Sequence, residues 1–313
     1  MGRWRDNADL VLANLLFGAN FSFYVSLSRE QLDFRTLFAL QLVVGAVVFI
    51  PPALLKLRLR AFRWQDLPKI GAVSLLVIYG WMYMLLWGSS YTTPIDAAII
   101  STLGPFFTLW LDWVLHRTLR LNPSRIVGMG IILLGGWLLI FDKGFQLVHG
   151  SEGWGNLIVL CGVVAIAFNT VLIKPQLERL GARTIIGLYY LIGILVSLPL
   201  MQTYLTAERF ASLTWVAWGE VGYVVLLGSV WPMWLLYRAT EHLTAVHTAL
   251  YRYIQPLVAG TLAHLRHQAQ FDATNITALG LLFVGILLTV VGYRESIRFI
   301  GESLAPHRLR RRR

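Results

Sequence analysis

Ten apolar runs, each about twenty residues long, divide this chain at roughly 9–28, 36–55, 68–90, 94–115, 123–141, 154–174, 184–203, 214–236, 245–265 and 274–292. A helix needs about 20 apolar residues to cross the ~30 Å hydrocarbon core of a bilayer, so each run matches one crossing. Ten crossings use most of the 313 residues and leave little chain for a soluble domain. The predicted fold is therefore an all-α polytopic membrane protein with ten transmembrane helices. Composition agrees: 57% of residues are apolar and 14% charged, against about 45–50% and 25% in soluble domains. A soluble protein with very apolar core helices would show shorter runs flanked by amphipathic ones. The first run is followed by Arg29 and Glu30 rather than a small-residue cleavage site, and reads as a retained span. The single Cys161 excludes an intrachain disulfide.

Charge orients the spans. If the N-terminus is cytoplasmic, 21 of the 27 Lys and Arg residues fall in cytoplasmic segments, five fall outside, and Arg252 lies within a span. Such asymmetry is the positive-inside signal, and it predicts both termini in the cytoplasm. It also accounts for the net charge of +11 without a nucleic-acid partner. The last residues, Arg308-Leu309-Arg310-Arg311-Arg312-Arg313, form a basic tail that either marks topology or meets anionic lipid head groups.

The two halves repeat. Residues 35–51 match 183–199, with Arg35/Arg183, Thr36/Thr184, Gly45/Gly193 and Pro51/Pro199 coinciding. Residues 93–105 match 244–256, including Thr93/Thr244, Ala98/Ala249 and Pro105/Pro256. Residues 130–135 match 280–285, and Asn20 falls on Asn169. Two five-helix units follow, 1–146 and 147–293, with a tail at 294–313. Five is odd, so the second unit inserts inverted relative to the first. Inverted repeats with a site between them mark secondary transporters.

The stretch Phe17-Gly18-Ala19-Asn20-Phe21, the fourth-span pattern from Asp96 to Pro105-Phe106-Phe107, and the fifth-span Gly128, Gly130, Gly135 and Gly136 resemble the EamA type of the drug/metabolite transporter superfamily. The pattern recurs at Thr244 to Pro256 and Gly280 to Gly285, so the resemblance covers about 8–140 and 154–292. It departs from the family at Gln41, which stands where members carry an Arg, and at the ends of spans four and nine. The resemblance implies export or exchange of small metabolites across the bacterial inner membrane.

The residues add their own chemistry. A proline frees the carbonyl four residues earlier: Pro105 frees that of Ser101, and Pro256 that of Arg252. Both prolines fall near mid-bilayer, where broken backbone is tolerated if it lines a cavity; the plainer explanation is a packing kink. Arg252 lies about 12 Å into span nine by helix rise. A charge at that depth costs about 2.5–3.5 kcal/mol and faces a cavity or a partner. Either it receives a substrate carboxylate, or it pairs with Asp96, Asp112 or Glu220. Asp96 and His247 are repeat mates and form a candidate proton-coupling or gating pair; alternatively Asp96 only starts a helix.

Most of the 12 Trp, 12 Tyr and 16 Phe fit interfacial belts, Trp4, Trp64, Trp154, Trp215 and Trp218 among them. Tyr79, Tyr83 and Trp87 share one face of span three. Trp231 and Trp234 lie mid-span in span eight. Tyr79, Tyr83, Tyr189, Trp231 and Trp234 are candidate cavity lining, with the polar residues Asn20, Gln41, Ser101, Asn169 and Gln255. Each polar residue has the alternative of bridging helices. An aromatic cavity with one Arg suits an amphipathic solute with a negative group, such as an aromatic or large neutral amino acid. A nucleotide-sugar or organophosphate would need more than one cation. The sequence shows no paired-Asp motif, His-Glu-x-x-His, Cys/His metal spacing or Walker loop, so neither enzyme, metal site, cofactor nor built-in ATP motor is expected. A structural membrane protein is the remaining alternative, and it predicts no buried Arg.

Overall fold

The computed structural model describes residues 2–56, 63–116, 123–141, 151–243, 248 and 251–290, and among these every regular element is helical. The helices are α1 (Gly2–Glu30), α2 (Phe34–Lys56), α3 (Trp64–Ser89), α4 in two pieces (Pro94–Ser101 and Gly104–His116), α5 (Pro123–Phe141), α6 (Glu152–Leu180), α7 (Ala182–Tyr204), α8 (Trp215–His242), α9 (Ile254–Leu265) and α10 (Ala273–Val290). Seven of them, α1 to α4 and α6 to α8, are long and apolar enough to cross a membrane. His247, the tail from 294 and the boundary between the predicted units lie outside the described residues.

Side-chain distribution is that of a bundle in an apolar solvent. Large aliphatic residues face outward, with Val47 70% and Ile276 62% exposed. Amides sit inside: Asn20, Gln41, Asn156 and Asn169 are almost wholly buried and bond across helices. A soluble domain shows the reverse, since buried amides need partners and a large apolar exterior needs a cover.

The helices pack in a regular scheme. α2 lies against α7, and α5 against α10. α1 packs on α8 and α9, while α6 packs on α3 and the second piece of α4. Glycine permits the α5–α10 approach. A Cβ on Gly128 would stand 2.6 Å from the Gly285 carbonyl oxygen, and one on Gly285 would stand 2.8 Å from the Gly128 oxygen. Small residues let membrane helices meet backbone to backbone. Backbone cannot retreat as a side chain can, so Gly128→Leu is expected to cost about 1–3 kcal/mol or more. Gly130→Leu should cost little, because a Cβ there meets nothing within 4 Å. Melting temperatures of the two variants in detergent check this; equal losses would refute it.

Two departures from regular helix matter for the site. At α4 the helix stops at Ser101, turns through Thr102 and Leu103, and resumes at Gly104. The expected kink is thus a full interruption. Ser101 and Thr102 turn their hydroxyls back onto the Ala97 and Ile99 carbonyls, which satisfies acceptors at the broken end. Pro105 then sits in the first turn of the resumed helix, where its missing N–H is not needed. Pro256 occupies the same place in α9, preceded by a single 3₁₀ turn over Tyr251–Tyr253. The second departure is a pair of π-helical stretches, Leu76–Tyr83 in α3 and Tyr223–Val230 in α8. Such wider turns recur at functional sites.

Candidate functional site

α1, α3, α4, α6, α8 and α9, with Tyr190 of α7, enclose a cavity of about 130 Å³. Its wall is largely apolar. α3 supplies Val77, Ile78, Trp81, Met82 and Leu85; α1 supplies Phe17 and Phe21; α8 supplies Met233 and Leu236. Neutral polar groups interrupt it: Asn14, Asn20 and Tyr24 of α1, Asn169 and Thr170 of α6, Ser229, Tyr237 and Thr240 of α8, and Gln255 of α9. Arg252 is the one charged residue in that lining.

The 3₁₀ turn that opens α9 carries Arg252 into the cavity. Its guanidinium lies beside Gly104 at the α4 break and near enough to the Tyr237 hydroxyl to interact electrostatically with it. Among the described residues it forms neither a hydrogen bond nor an ion pair. The carboxylates offered as partners are engaged elsewhere. Asp96 accepts from the Asn275 amide at 2.6 Å, and Glu220 is paired with Arg266. The side chain of Asp112 lies outside the described residues.

A polar scaffold holds the cavity walls. Asn20 donates to the Gly228 carbonyl of α8 at 2.8 Å. Asn169 donates to the Val73 carbonyl of α3 at 3.2 Å and to the Tyr189 hydroxyl at 2.7 Å, while its own oxygen accepts from Tyr237. Gln255 donates to Asn14 at 2.7 Å, which joins α9 to α1. Gln41 donates to the Tyr24 and Ser229 hydroxyls.

Of the residues singled out in the sequence, Arg252, Asn20, Pro105, Asn169 and Gln255 line this cavity. Gln41 and Tyr189 stand one layer behind, bonded to lining residues. Ser101 and Pro256 are buried at the two helix starts and breaks without reaching the wall. Tyr79 and Tyr83 turn to α2, packing on Phe38, and the Tyr79 hydroxyl bonds Ser197 of α7 at 2.8 Å. Trp231 points outward, 48% exposed. Trp234 lies under the Arg183 guanidinium, 5.1 Å from ring centroid to Cζ. Asp96 sits in the first turn of α4, where Thr93 caps its amide.

Sequence reasoning passed over Tyr24, Trp81, Met82, Tyr190, Met233 and Tyr237. Tyr237 alone carried a signal: it lies a turn beyond Trp234 in a helix that also holds Arg238. The others read as ordinary apolar helix faces. Among the described residues no cluster of His, Cys, Asp or Glu is placed to hold a metal ion.

A helical bundle of this kind, with broken and π-helical segments around an interior cavity, is the architecture of a multi-pass membrane transporter. The model of the EamA-like transporter family matches residues 10–141 and again 153–291, and the chain belongs to that family. It is 21% identical over 299 residues to the uncharacterized inner membrane transporter YedA of Escherichia coli (strain K12), covering 88% of this chain and 91% of that one. It is 22% identical over 215 residues to the uncharacterized transporter YetK of Bacillus subtilis (strain 168), covering 67% of this chain and 64% of YetK's length. A solved structure titled only "Crystal structure of protein" shares the fold, with a TM-score of 0.61 at 17% identity over 91% of this chain and 96% of that one.

Proposed function

We propose that the protein is a secondary transporter in the bacterial inner membrane, exporting a small amphipathic solute by alternating access. The solute carries one negative group and a large apolar or aromatic body; amino acids with such side chains are the nearest class. One observation carries this reading: an Arg with neither hydrogen bond nor ion pair among the described residues, in a cavity otherwise walled by apolar and neutral polar groups. One cation matches one carboxylate. A sugar phosphate or other dianion would leave charge unmatched in an apolar wall, so the organophosphate carrier ranks second.

The proposed topology is ten transmembrane helices in two inverted five-helix repeats with cytoplasmic termini. The packing scheme supports it. If α1–α5 correspond to α6–α10, then α2–α7 and α5–α10 are pairs of mates. The grouping of α1 with α8 and α9 then mirrors that of α6 with α3 and α4. Both π stretches fall in the third helix of a repeat. In this orientation the cavity reaches the cytoplasmic ends of α6 and α8 at Leu177 and Thr240. Polar ties cross both ends of the bundle: Arg266–Glu220 and Ser22–Gln268 at one, Arg238–Asp9 and Arg179–Asp66 at the other.

Counterflow into proteoliposomes tests the substrate class. L-Phenylalanine and 3-phenylpropionate are expected to exchange; phenethylamine, which lacks the carboxylate, and glucose 6-phosphate are not. Exchange of glucose 6-phosphate alone would favour the organophosphate carrier. Exchange of phenethylamine at the rate of phenylalanine, or of no compound, would remove the role given to Arg252.

A further inference from the structure

We infer that Gly104 is the positioning residue for the Arg252 guanidinium. Its missing side chain forms the seat on which the anion-binding group rests. The inference builds on the proposed role of Arg252 and adds a residue from the other half of the chain to the same site.

A Cβ on Gly104 would stand 2.8 Å from Arg252 Nη1, nearer than real carbon contacts allow, and at an ordinary 3.6 Å from Cζ. The remaining neighbour, Val163 Cγ1, would lie at an ordinary 3.8 Å. The only atoms a methyl group disturbs are therefore the tip of the arginine. Any larger residue at 104 must push the guanidinium away from the α4 break.

The break also shapes the electrostatic surroundings of the charge. The outer piece of α4 ends at Ser101, three residues before Gly104, and carbonyl groups at a helix C-terminus carry partial negative charge that favours a nearby cation. Pro105 contributes no N–H to the preceding turn, so the Ser101 carbonyl is without its i+4 donor. Tyr237 of α8 lies near enough to interact electrostatically with the guanidinium, and its proton is given to Asn169. Neutral dipoles of this kind leave the charge of Arg252 without a counter-charge. A carboxylate can then engage it without first displacing an ion pair. Glycine at 104 is what lets the guanidinium lie against the α4 break.

A purely structural glycine predicts a different outcome from a positioning one. Alanine is the better helix former, and it reduces the freedom of the unfolded chain, so Gly104→Ala should melt at the wild-type temperature or above. Yet a shift of the guanidinium by about 1 Å can cost up to 10²-fold in a positioned interaction. The expected result is a KM for 3-phenylpropionate raised at least about tenfold, with maximal flux less affected and melting temperature unchanged or higher. The effect must pass through Arg252: in an Arg252→Gln background, Gly104→Ala should change nothing further, since coupled residues are non-additive.

The test is the four-member cycle of wild type, Gly104→Ala, Arg252→Gln and the double variant. It is read as 3-phenylpropionate exchange in proteoliposomes and as melting temperature of the full chain. If Arg252→Gln impairs exchange while Gly104→Ala leaves KM at the wild-type value, the seat is refuted and the role of Arg252 stands. If the two losses add, or if Gly104→Ala lowers the melting temperature, the glycine is structural and the inference falls. If Arg252→Gln exchanges like the wild type, or the wild type does not move the probe, the underlying reading of Arg252 fails and this one with it.

Discussion

Arg252→Gln is expected to reduce transport of the carboxylate probe by at least about 10²-fold while the protein inserts and folds normally. Each hydrogen bond to a charged group contributes about 1.5–3 kcal/mol, and a guanidinium offers a carboxylate two in parallel. Losing both corresponds to that range or more. The sign of the stability change separates substrate binding from internal pairing. An Arg held in a membrane interior costs about 2.5–3.5 kcal/mol on insertion scales, and among the described residues no carboxylate offsets it. Gln should therefore leave the melting temperature unchanged or raise it. Were Arg252 half of a structural ion pair, its removal would strand a buried carboxylate, and the melting temperature would fall. Arg252→Lys should restore only part of the activity, because a point charge lacks the planar fork. Wild-type exchange by a normally expressed Gln variant would eliminate the binding role.

What the sequence made legible follows the range over which each signal acts. Apolar run length is a property of twenty residues at once, and it located α1 to α8 to within a few residues at most ends. The helices extend past the runs where charged residues continue the turn, as from Lys174 to Leu180 in α6. Such residues are hydrophilic yet good helix formers. Arg252 and the proline at 105 were visible because each is costly in an apolar helix and so needs a reason to be there. The facing of α3 was not visible. Tyr79, Tyr83 and Trp87 do share one face, but it meets Phe34 and Phe38 of α2. The cavity instead receives Ile78, Trp81, Met82 and Leu85. In an ideal α-helix an aromatic stripe and an apolar stripe are equally good candidates for either surface. Here a π-helical stretch over Leu76–Tyr83 adds its own rotation, and no composition rule foretells it. Gly104 was likewise silent, because its role lies in the space left for a side chain 148 positions away.

Glu220→Ala is the variant expected to lose most stability. Glu220 opens α8 and is only 8% exposed. It pairs with Arg266 just beyond α9, and Arg266 also reaches Ser22 and Ser26 of α1 at 3.4 and 3.3 Å. The same guanidinium lies over the Phe23 ring, 4.7 Å from its centroid, and Gln268 joins the cluster through Ser22. One charge pair thus fastens three helices where α8 begins and α9 ends. Removing one partner of a buried pair costs about 3–5 kcal/mol, because the other charge stays behind without compensation. Arg266 keeps roughly a quarter of its side chain in contact with solvent, so the expected loss is nearer about 2–3 kcal/mol. Glu220→Gln should do less harm than Ala, since an amide oxygen still accepts from the guanidinium. The decisive comparison is the double variant Glu220→Gln with Arg266→Gln. If the cost comes from the stranded charge, the double variant should melt higher than Glu220→Ala alone. Single losses that simply add would show instead that each side chain acts through its own packing, and the pair would have no part in fastening the three helices.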